Sequence, residues 1–256
     1  MDFNIYDLLL MAKAQQYDFS KGGRERSNED VRLAFYAINA LIKPEVTYEV
    51  GAFEAQFSKT IKEFLPQTRV VAFEANPYNY AEWKSREKTA AIEYLHLAIS
   101  DHIGESDFFV QRRSHGEPVE AVHGSNSLLL RTDKEVEYEV IKVPTTTLAK
   151  YAKQCGLEEK NFTAWIDAEG SSEAVLKGGG DLWKHCSALM IEVEELAYWK
   201  DQWLFWEVAE FLMQQDFVPI IRDFEYEHQF NVIFIKKVLL RNPGVRDFLV
   251  RYFGES

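Results

Sequence analysis

Positive charge is scarce in this chain. Its 256 residues hold 29 Lys and Arg against 41 Asp and Glu, a formal net charge of −12 at pH 7. That deficit argues against a nucleic-acid partner, because phosphate binding needs a basic footprint. Cysteine is nearly absent: Cys155 and Cys186 show no metal-ligand spacing. They predict two reduced thiols in a cytoplasmic protein, not a disulfide framework. Long apolar runs are missing as well. No segment approaches the ~20 apolar residues that a membrane helix needs, so no membrane span is expected. Asp2 stands where a signal peptide carries basic residues, and the apolar run Leu8–Met11 is short, which predicts no secretory leader. Internal repeats and low-complexity tracts are absent.

What remains is an ordinary globular composition, 46% apolar and 27% charged. The length suits one large domain with extensions. Residues 1–20 read as an amphipathic helix, and KGGRER as a flexible connector with Gly22 and Gly23 as breakers. Ser27 with Asp30 reads as a capping box that starts a second helix, ended near Leu41 by Pro44. From Val46 the pattern alternates. Strands are expected at 46–50, 69–73, 92–99, 163–166 and 188–193. Helices are expected at about 55–65, 78–88, 147–155 and 172–177, with a long aromatic one at 197–215. The runs 218–222 and 231–235 predict an antiparallel close to the sheet, and 245–253 a peripheral helix. Two short strands, 108–111 and 137–143, interrupt the rhythm and read as a hairpin-like insertion.

The expected fold class is therefore α/β: a doubly wound, mainly parallel Rossmann-like sheet with an antiparallel C-terminal strand. The division is a helical extension over 1–45, a core domain over 46–240 with its insertion at about 102–144, and a C-terminal helix over 241–256. In such sheets ligands sit at the carboxyl ends of the strands. Here those ends carry Glu49, Glu74, Ser100, Asp101, Asp167, Glu169 and Glu194, an acidic rim. Glu74 follows a buried strand where a carboxylate can accept ribose hydroxyls; the plain alternative is a solvated cap for the next helix. A G-x-G-x-x-G fingerprint is absent, with Phe53 and Gln56 where glycines would stand, and no P-loop follows any strand. A nucleoside without a pyrophosphate fits better, and a cationic one suits an acidic mouth.

The motifs together resemble the FkbM family of S-adenosylmethionine-dependent methyltransferases. Its first motif, D-x-G-A-N-x-G-x-x-S/T, appears as Glu49, Gly51, Ala52, Ala55 and Ser58. Ala72, Phe73, Glu74, Asn76 and Pro77 match AFE-x-NP. Ala98, Ser100, Asp101 and Gly104 match A-x-S-D with its following Gly, and Ser125, Ser127 and Leu128 match S-x-S-L. Ile166, Asp167, Glu169 and Gly170 match K-I-D-x-E-G. Phe53 replaces the family's Asn, Ala55 its second Gly, and Trp165 its Lys. Ala55 is a small loss where φ is negative; Phe53 removes a polar contact from the methionine end of the site.

The resemblance implies S-adenosyl-L-methionine as cofactor and methyl transfer to a hydroxyl of a small-molecule or carbohydrate acceptor. It implies a cofactor set of Glu49, Gly51, Ala52, Phe53, Ser58, Glu74, Ala75, Ala98, Ser100 and Asp167. Asp167 and Glu169 are the candidate bases, since an alcohol must lose its proton; the alternative is that they only cap the next helix. Ser125, Ser127, Glu192 and Tyr198 are the candidate acceptor contacts, Tyr198 as an apolar wall for a sugar ring. Trp199, Trp203 and Trp206 are expected on one helical face as core. His115 and His123 are possible loop bases. No spacing argues for a metal. Two rival readings stay open: a nicotinamide enzyme, and a non-catalytic nucleoside-binding module that Phe53 has spoiled.

Overall fold

The computed structural model describes residues 20–86 and 91–254; the helix expected over residues 1–20 lies outside the described residues, Ser20 excepted. In chain order the strands are β1 (Val46–Val50), β2 (Arg69–Glu74), β3 (Glu93–His96), β4 (Ala98–Ile99), β5 (Gly104–Ser114) and β6 (Glu117–Pro118). They continue with β7 (Val136–Thr146), β8 (Phe162–Ile166), β9 (Cys186–Glu194), β10 (Phe217–Arg222) and β11 (Gln229–Lys236). The α-helices are α1 (Lys21–Ile42), α2 (Gln56–Phe64), α3 (Pro77–Trp83), α4 (Leu148–Gln154), α5 (Ser172–Gly179), α6 (Phe205–Gln214) and α7 (Pro243–Gly254). None of the described helices is long and apolar enough to cross a membrane.

A seven-stranded sheet runs β10-β11-β9-β8-β1-β2-β3. β1 lies inside the sheet, next to the central β8, buried along its whole length, and pairs in parallel with β2 and β8. β11 enters antiparallel between β9 and β10. Such central strands are apolar on both faces because helices cover both. One face packs Tyr48, Phe73 and Ile166 against Leu148, Leu176 and Leu212 from α4, α5 and α6. The other packs Val70, Met190 and Ile233 against Phe35 and Ile38 of α1 and Phe57 of α2. The expected doubly wound sheet with an antiparallel close is thus what forms.

Four local expectations differ. The KGGRER segment is helical: α1 starts at Lys21, with the Ser20 hydroxyl accepting from the Gly23 N–H at 3.4 Å. Ser27 is no cap but a buried residue inside the helix, donating to the Arg24 carbonyl at 2.6 Å and accepting from the Phe224 N–H at 2.9 Å. The third strand divides at Leu97. β3 stays in the main sheet, while β4 joins a second sheet, β4-β7-β5-β6, that carries the insertion. Its strands β5 and β7 are longer than the expected 108–111 and 137–143. Finally, the aromatic helix begins only at Phe205. In the loop before it the Gln202 side chain accepts from the Trp199 N–H at 2.7 Å, and Asp201 has φ +59°. A side chain that takes a backbone donor competes with helix formation. Trp199 therefore lies buried in a loop, and Trp203, Trp206 and Trp199 share no helical face.

The Ser27 contact fixes α1 against the Phe224 turn. Ser27→Ala removes this acceptor from the Phe224 N–H, and losing one such hydrogen bond costs about 0.5–1.5 kcal/mol. Urea denaturation should show a loss of that size, and no loss would mean that α1 docks through its apolar face alone.

Candidate functional site

The strand register builds the site. Val50 pairs with Phe73 and with Ile166, so Gly51, Glu74 and Asp167 emerge together at the carboxyl edge of the sheet. Gly51 has φ +78°, and a Cβ there would lie 1.7 Å from the Asp167 carbonyl oxygen. Only glycine fits so close an approach. The next turn is strained: Phe53 has φ +44° and Ala55 φ +55°. The condition under which Ala55 is a small loss, a negative φ, is not met. The strained turn is held by side chains. The Phe53 N–H donates to Glu74 Oε2 at 2.6 Å, and the Tyr94 hydroxyl donates to the Phe53 carbonyl. Glu74 Oε1 accepts from the Asn76 N–H at 2.7 Å.

A cleft of about 520 Å³, its open mouth included, runs along this edge. Gly51, Phe53, Glu74, Ala75, Ala98 and Asp167 of the expected cofactor set line it. Its far wall is apolar, with Ile99, Phe108 and Leu128, and Asn79 and Asn126 bring polar groups. This fits S-adenosylmethionine on an observation of this chain: Glu74 is 5% exposed, yet its carboxylate keeps lone pairs beyond the two backbone donors and faces the cleft. Burial pushes Glu74 up to about 7 against those bonds. Hydroxyl donors from a ribose would stabilise its charged form.

Other members of that set lie elsewhere. Glu49 and Ser58 are buried behind the turn, where Glu49 Oε2 accepts from the Ser58 N–H at 2.9 Å and secures the start of α2. Ala52 is buried among Ala55, Ala72 and Tyr94, away from the cleft lining. Ser100 faces a neighbouring shallow cleft, with its hydroxyl on Asp101 Oδ1 at 3.3 Å.

The acidic candidates do come together. One carboxylate oxygen each of Asp167, Glu169 and Glu192 lies within 4.8 Å of the others, close enough to share one cation. Sequence spacing did not suggest this, because the register of β8 with β9, Ile166 beside Ile191, is what brings Glu192 to Asp167. Burial raises all three, and mutual repulsion adds to it for Glu169 and Glu192. Glu192 Oε1 has no hydrogen-bond partner. Glu194, at the end of β9, is pushed up to about 7 by burial, although Gln202 donates to it at 2.8 Å. The cation facing Glu169 and Glu194 is Arg131, whose guanidinium lies 4.8 Å from the Trp199 ring centre. Arg131, Asn79, Asn126 and Gln202 were not singled out in the sequence. Only Asn126 carried a signal, lying between the two serines of the S-x-S-L motif.

Ser127 is a positioning group. Its hydroxyl donates to the Glu169 carbonyl at 2.6 Å and accepts from the Leu129 N–H at 2.9 Å, pinning the insertion onto the acidic loop. Ser125 faces away; its carbonyl accepts from the Gln111 side chain. Tyr198 lines neither cleft and meets the insertion through its carbonyl, which accepts from the Thr132 N–H at 2.9 Å. His115 pairs with Asp133 and Glu135 out on the arm, and His123 accepts from the Ser125 N–H. Beyond Asp167 a second cleft, about 700 Å³ with its open mouth, lies between α1 and the β10–β11 turn. Asp167 lines both clefts.

A family model described as the methyltransferase FkbM domain matches residues 45–226. No curated protein matches the chain. Among solved structures, it is similar to a methyltransferase FkbM from Methylobacillus flagellatus KT at 11% identity and a TM-score of 0.45. That match covers 75% of this chain but 43% of the other, so this chain spans less than half of that relative. A magnesium protoporphyrin IX methyltransferase from Synechocystis PCC 6803, solved with bound SAM, matches at 8% identity and a TM-score of 0.44, covering 92% and 86%. A 1,6-didemethyltoxoflavin-N1-methyltransferase from Burkholderia thailandensis, solved with S-adenosylhomocysteine, matches at 14% identity and a TM-score of 0.38, covering 92% and 93%.

The raised carboxylates set a pH dependence. Glu74, Glu194 and Glu49 each shift from 4.5 to about 7, so between those values the folded protein binds more protons than the unfolded one. Their contribution is present below the unfolded value and is lost as pH rises through 7. The melting temperature of the ligand-free protein should therefore fall from pH 5.5 to pH 8, at roughly 2–4 °C per kcal/mol for a domain of this size. A melting temperature that rises across this window in differential scanning fluorimetry would show that these groups stay ionised.

Proposed function

This chain belongs to the FkbM methyltransferase family, and we propose that it transfers the methyl group of S-adenosylmethionine to a hydroxyl oxygen of a sugar, polysaccharide or glycosylated metabolite. The observation that carries this reading is the place of Asp167, which lines both the cleft at Gly51 and Glu74 and a second, acidic one. When bound, S-adenosylmethionine supplies an electrophilic methyl group on a sulfonium. Glu74 would hold the ribose, and the small Gly51, Ala75 and Ala98 leave room along the cleft. Phe53 at the methionine end offers a ring in place of an amide and packs on Trp83 at 6.0 Å.

The rest is positioning and proton transfer. In-line displacement gains most from holding the oxygen in place. As the oxygen forms its bond to carbon, its proton must leave, and the Asp167 carboxylate takes it. Burial raises Asp167, which brings its proton affinity toward the working pH. Glu169 and Glu192, raised further than Asp167 by burial and repulsion, leave Asp167 the most readily ionised of the three, and Ser127 holds the Glu169 backbone.

Two variants test the assignment by calorimetry with S-adenosylhomocysteine and by methyl-transfer assay. Glu74→Gln should weaken S-adenosylhomocysteine binding by at least about tenfold, the equivalent of about 1.4 kcal/mol. Asp167→Asn should keep that binding within a few-fold while lowering kcat by about 10²–10⁴, the usual worth of a general base. Wild-type protein that is folded by circular dichroism but does not bind S-adenosylhomocysteine would instead support a non-catalytic module, with Phe53 as the residue to revert.

A further inference from the structure

The second cleft has a one-sided chemistry. Three buried polar atoms on its wall lack hydrogen-bond partners: Glu192 Oε1, Asp223 Oδ1 and Asn231 Oδ1. The Asp223 and Asn231 oxygens are acceptors, and so is Glu192 when it is ionised. Asp223 is fully buried; its other oxygen accepts from the Asn231 N–H at 3.2 Å, the Asn231 amide at 2.8 Å and the Asn28 amide at 3.5 Å, and the Glu225 backbone also steadies the carboxylate. The amide bond to Asp223 also fixes which way Asn231 points. A buried acceptor without a donor costs free energy, so a ligand here must bring donors. A carboxylate or phosphate would bring none.

Charge narrows the class further. Asp167, Glu192, Asp223 and Glu225 line the cleft against one guanidinium, Arg32, which sits 5.8 Å from the Trp165 ring centre. Arg222 faces Asp223 but shares its charge with Glu195. Arg222 reaches Glu195 at 3.7 Å and covers the Phe230 ring, and Arg24 donates to the Phe224 carbonyl at 3.3 Å. A neutral polyol would satisfy the orphan oxygens but leave the carboxylates crowded. A cation satisfies both. Tyr226, exposed at the mouth, adds an aromatic face, which favours a sugar ring or an ammonium group.

We propose that this cleft is the acceptor site and that it selects a hydroxylated acceptor bearing a protonated amine, of the amino-sugar or amino-alcohol class. The ammonium sits against Asp223 and Glu225, and the hydroxyl to be methylated lies at the Asp167 end. This rests on the methyl-transfer reading, and it adds the acceptor's charge and its place. Burial raises both Asp223 and Glu225, although Arg222 faces the first and Arg32 the second.

The test uses the whole chain and three probes, D-glucosamine, D-glucose and N-acetyl-D-glucosamine. Binding is read by saturation-transfer NMR with and without S-adenosylhomocysteine, in slightly acidic buffer where the amine is protonated. Glucosamine should bind at least about tenfold more tightly than either neutral probe, a difference of about 1.4 kcal/mol. Glu225→Gln should reduce that preference and Asp223→Asn should abolish it, with S-adenosylhomocysteine affinity unchanged. Because Asp223 also holds Asn231, Glu225→Gln is the safeguard if the other variant misfolds. Equal or tighter binding of the neutral probes, a preference that survives Glu225→Gln, or no binding of any probe overturns the proposal. So does a Mg²⁺ titration in which the metal binds this cleft and glucosamine does not displace it. Failure to bind S-adenosylhomocysteine would count against methyl transfer, while the probe arm without it still decides the amine site.

Discussion

Carboxylates held out of water without enough cations to match them are the constraint on which this structure turns. Glu49, Glu74, Asp167, Glu192 and Glu194 all belong to, or directly follow, adjacent strands of one sheet. Burial raises each of them. Such groups are stable only when they are protonated, hydrogen-bonded or paired. The protein meets the demand in part. Glu49 takes a backbone donor from the first turn of α2, Glu74 one from the turn after β1, and Glu194 takes Gln202 and Gln229. Asp167 and Glu192 have chiefly each other. A ligand that arrives with positive charge or with donors completes what the fold leaves open, and binding and deprotonation of the edge are therefore linked.

The backbone that makes this edge is strained where it meets the ligand cleft. Phe53, Ala55 and Glu169 all take positive φ. Each such residue costs of order 1–3 kcal/mol and persists only where its surroundings over-determine it. The surroundings are visible here. Glu74 and Tyr94 clamp both polar groups of Phe53, and Ser127 clamps the Glu169 carbonyl. Trp199 closes the floor beneath Gly170, so closely that a Cβ on Gly170 would lie 2.8 Å from the ring. The buried tryptophan that sequence periodicity assigned to a helix is thus a support for the acidic loop.

The sheet, and the cleft that Gly51 and Glu74 line at its carboxyl edge, were legible because they depend on local signals. Buried apolar runs of four or five residues, each ending in a small or acidic residue, mark strand ends whatever the rest of the chain does. The helix caps at Asn76 and Thr147 follow the same logic. What failed depends on distant partners. Ser27 reads as a cap until Phe224 supplies a second use for its hydroxyl. Gly22 and Gly23 read as breakers, but Ser20 caps a helix through them and Gly23 is buried against its neighbours. Asp223 and Glu225 carry no motif. They reach the site only because β11 inserts antiparallel beside β9 and sets Asn231 opposite Glu192, and the Asp223 N–H then donates to the Asn231 carbonyl at 3.1 Å. That is a consequence of topology, and no window of sequence contains it.

The shared wall between the two clefts has a further consequence for the proposed reaction. A sulfonium on one side and an ammonium on the other would repel each other if only space lay between them. Asp167 and Glu192 line the second cleft, and Asp167 lines the first as well, so buried negative charge screens the pair where the dielectric is low. Methyl transfer removes one positive charge from the edge, because the sulfonium becomes a neutral thioether. It also releases one proton from the hydroxyl. A carboxylate already raised by burial is the group best able to keep that proton, and its protonation restores the charge balance that the sulfonium supplied. The same crowding that makes the empty edge costly thus favours an arriving cation before the reaction and a retained proton after it.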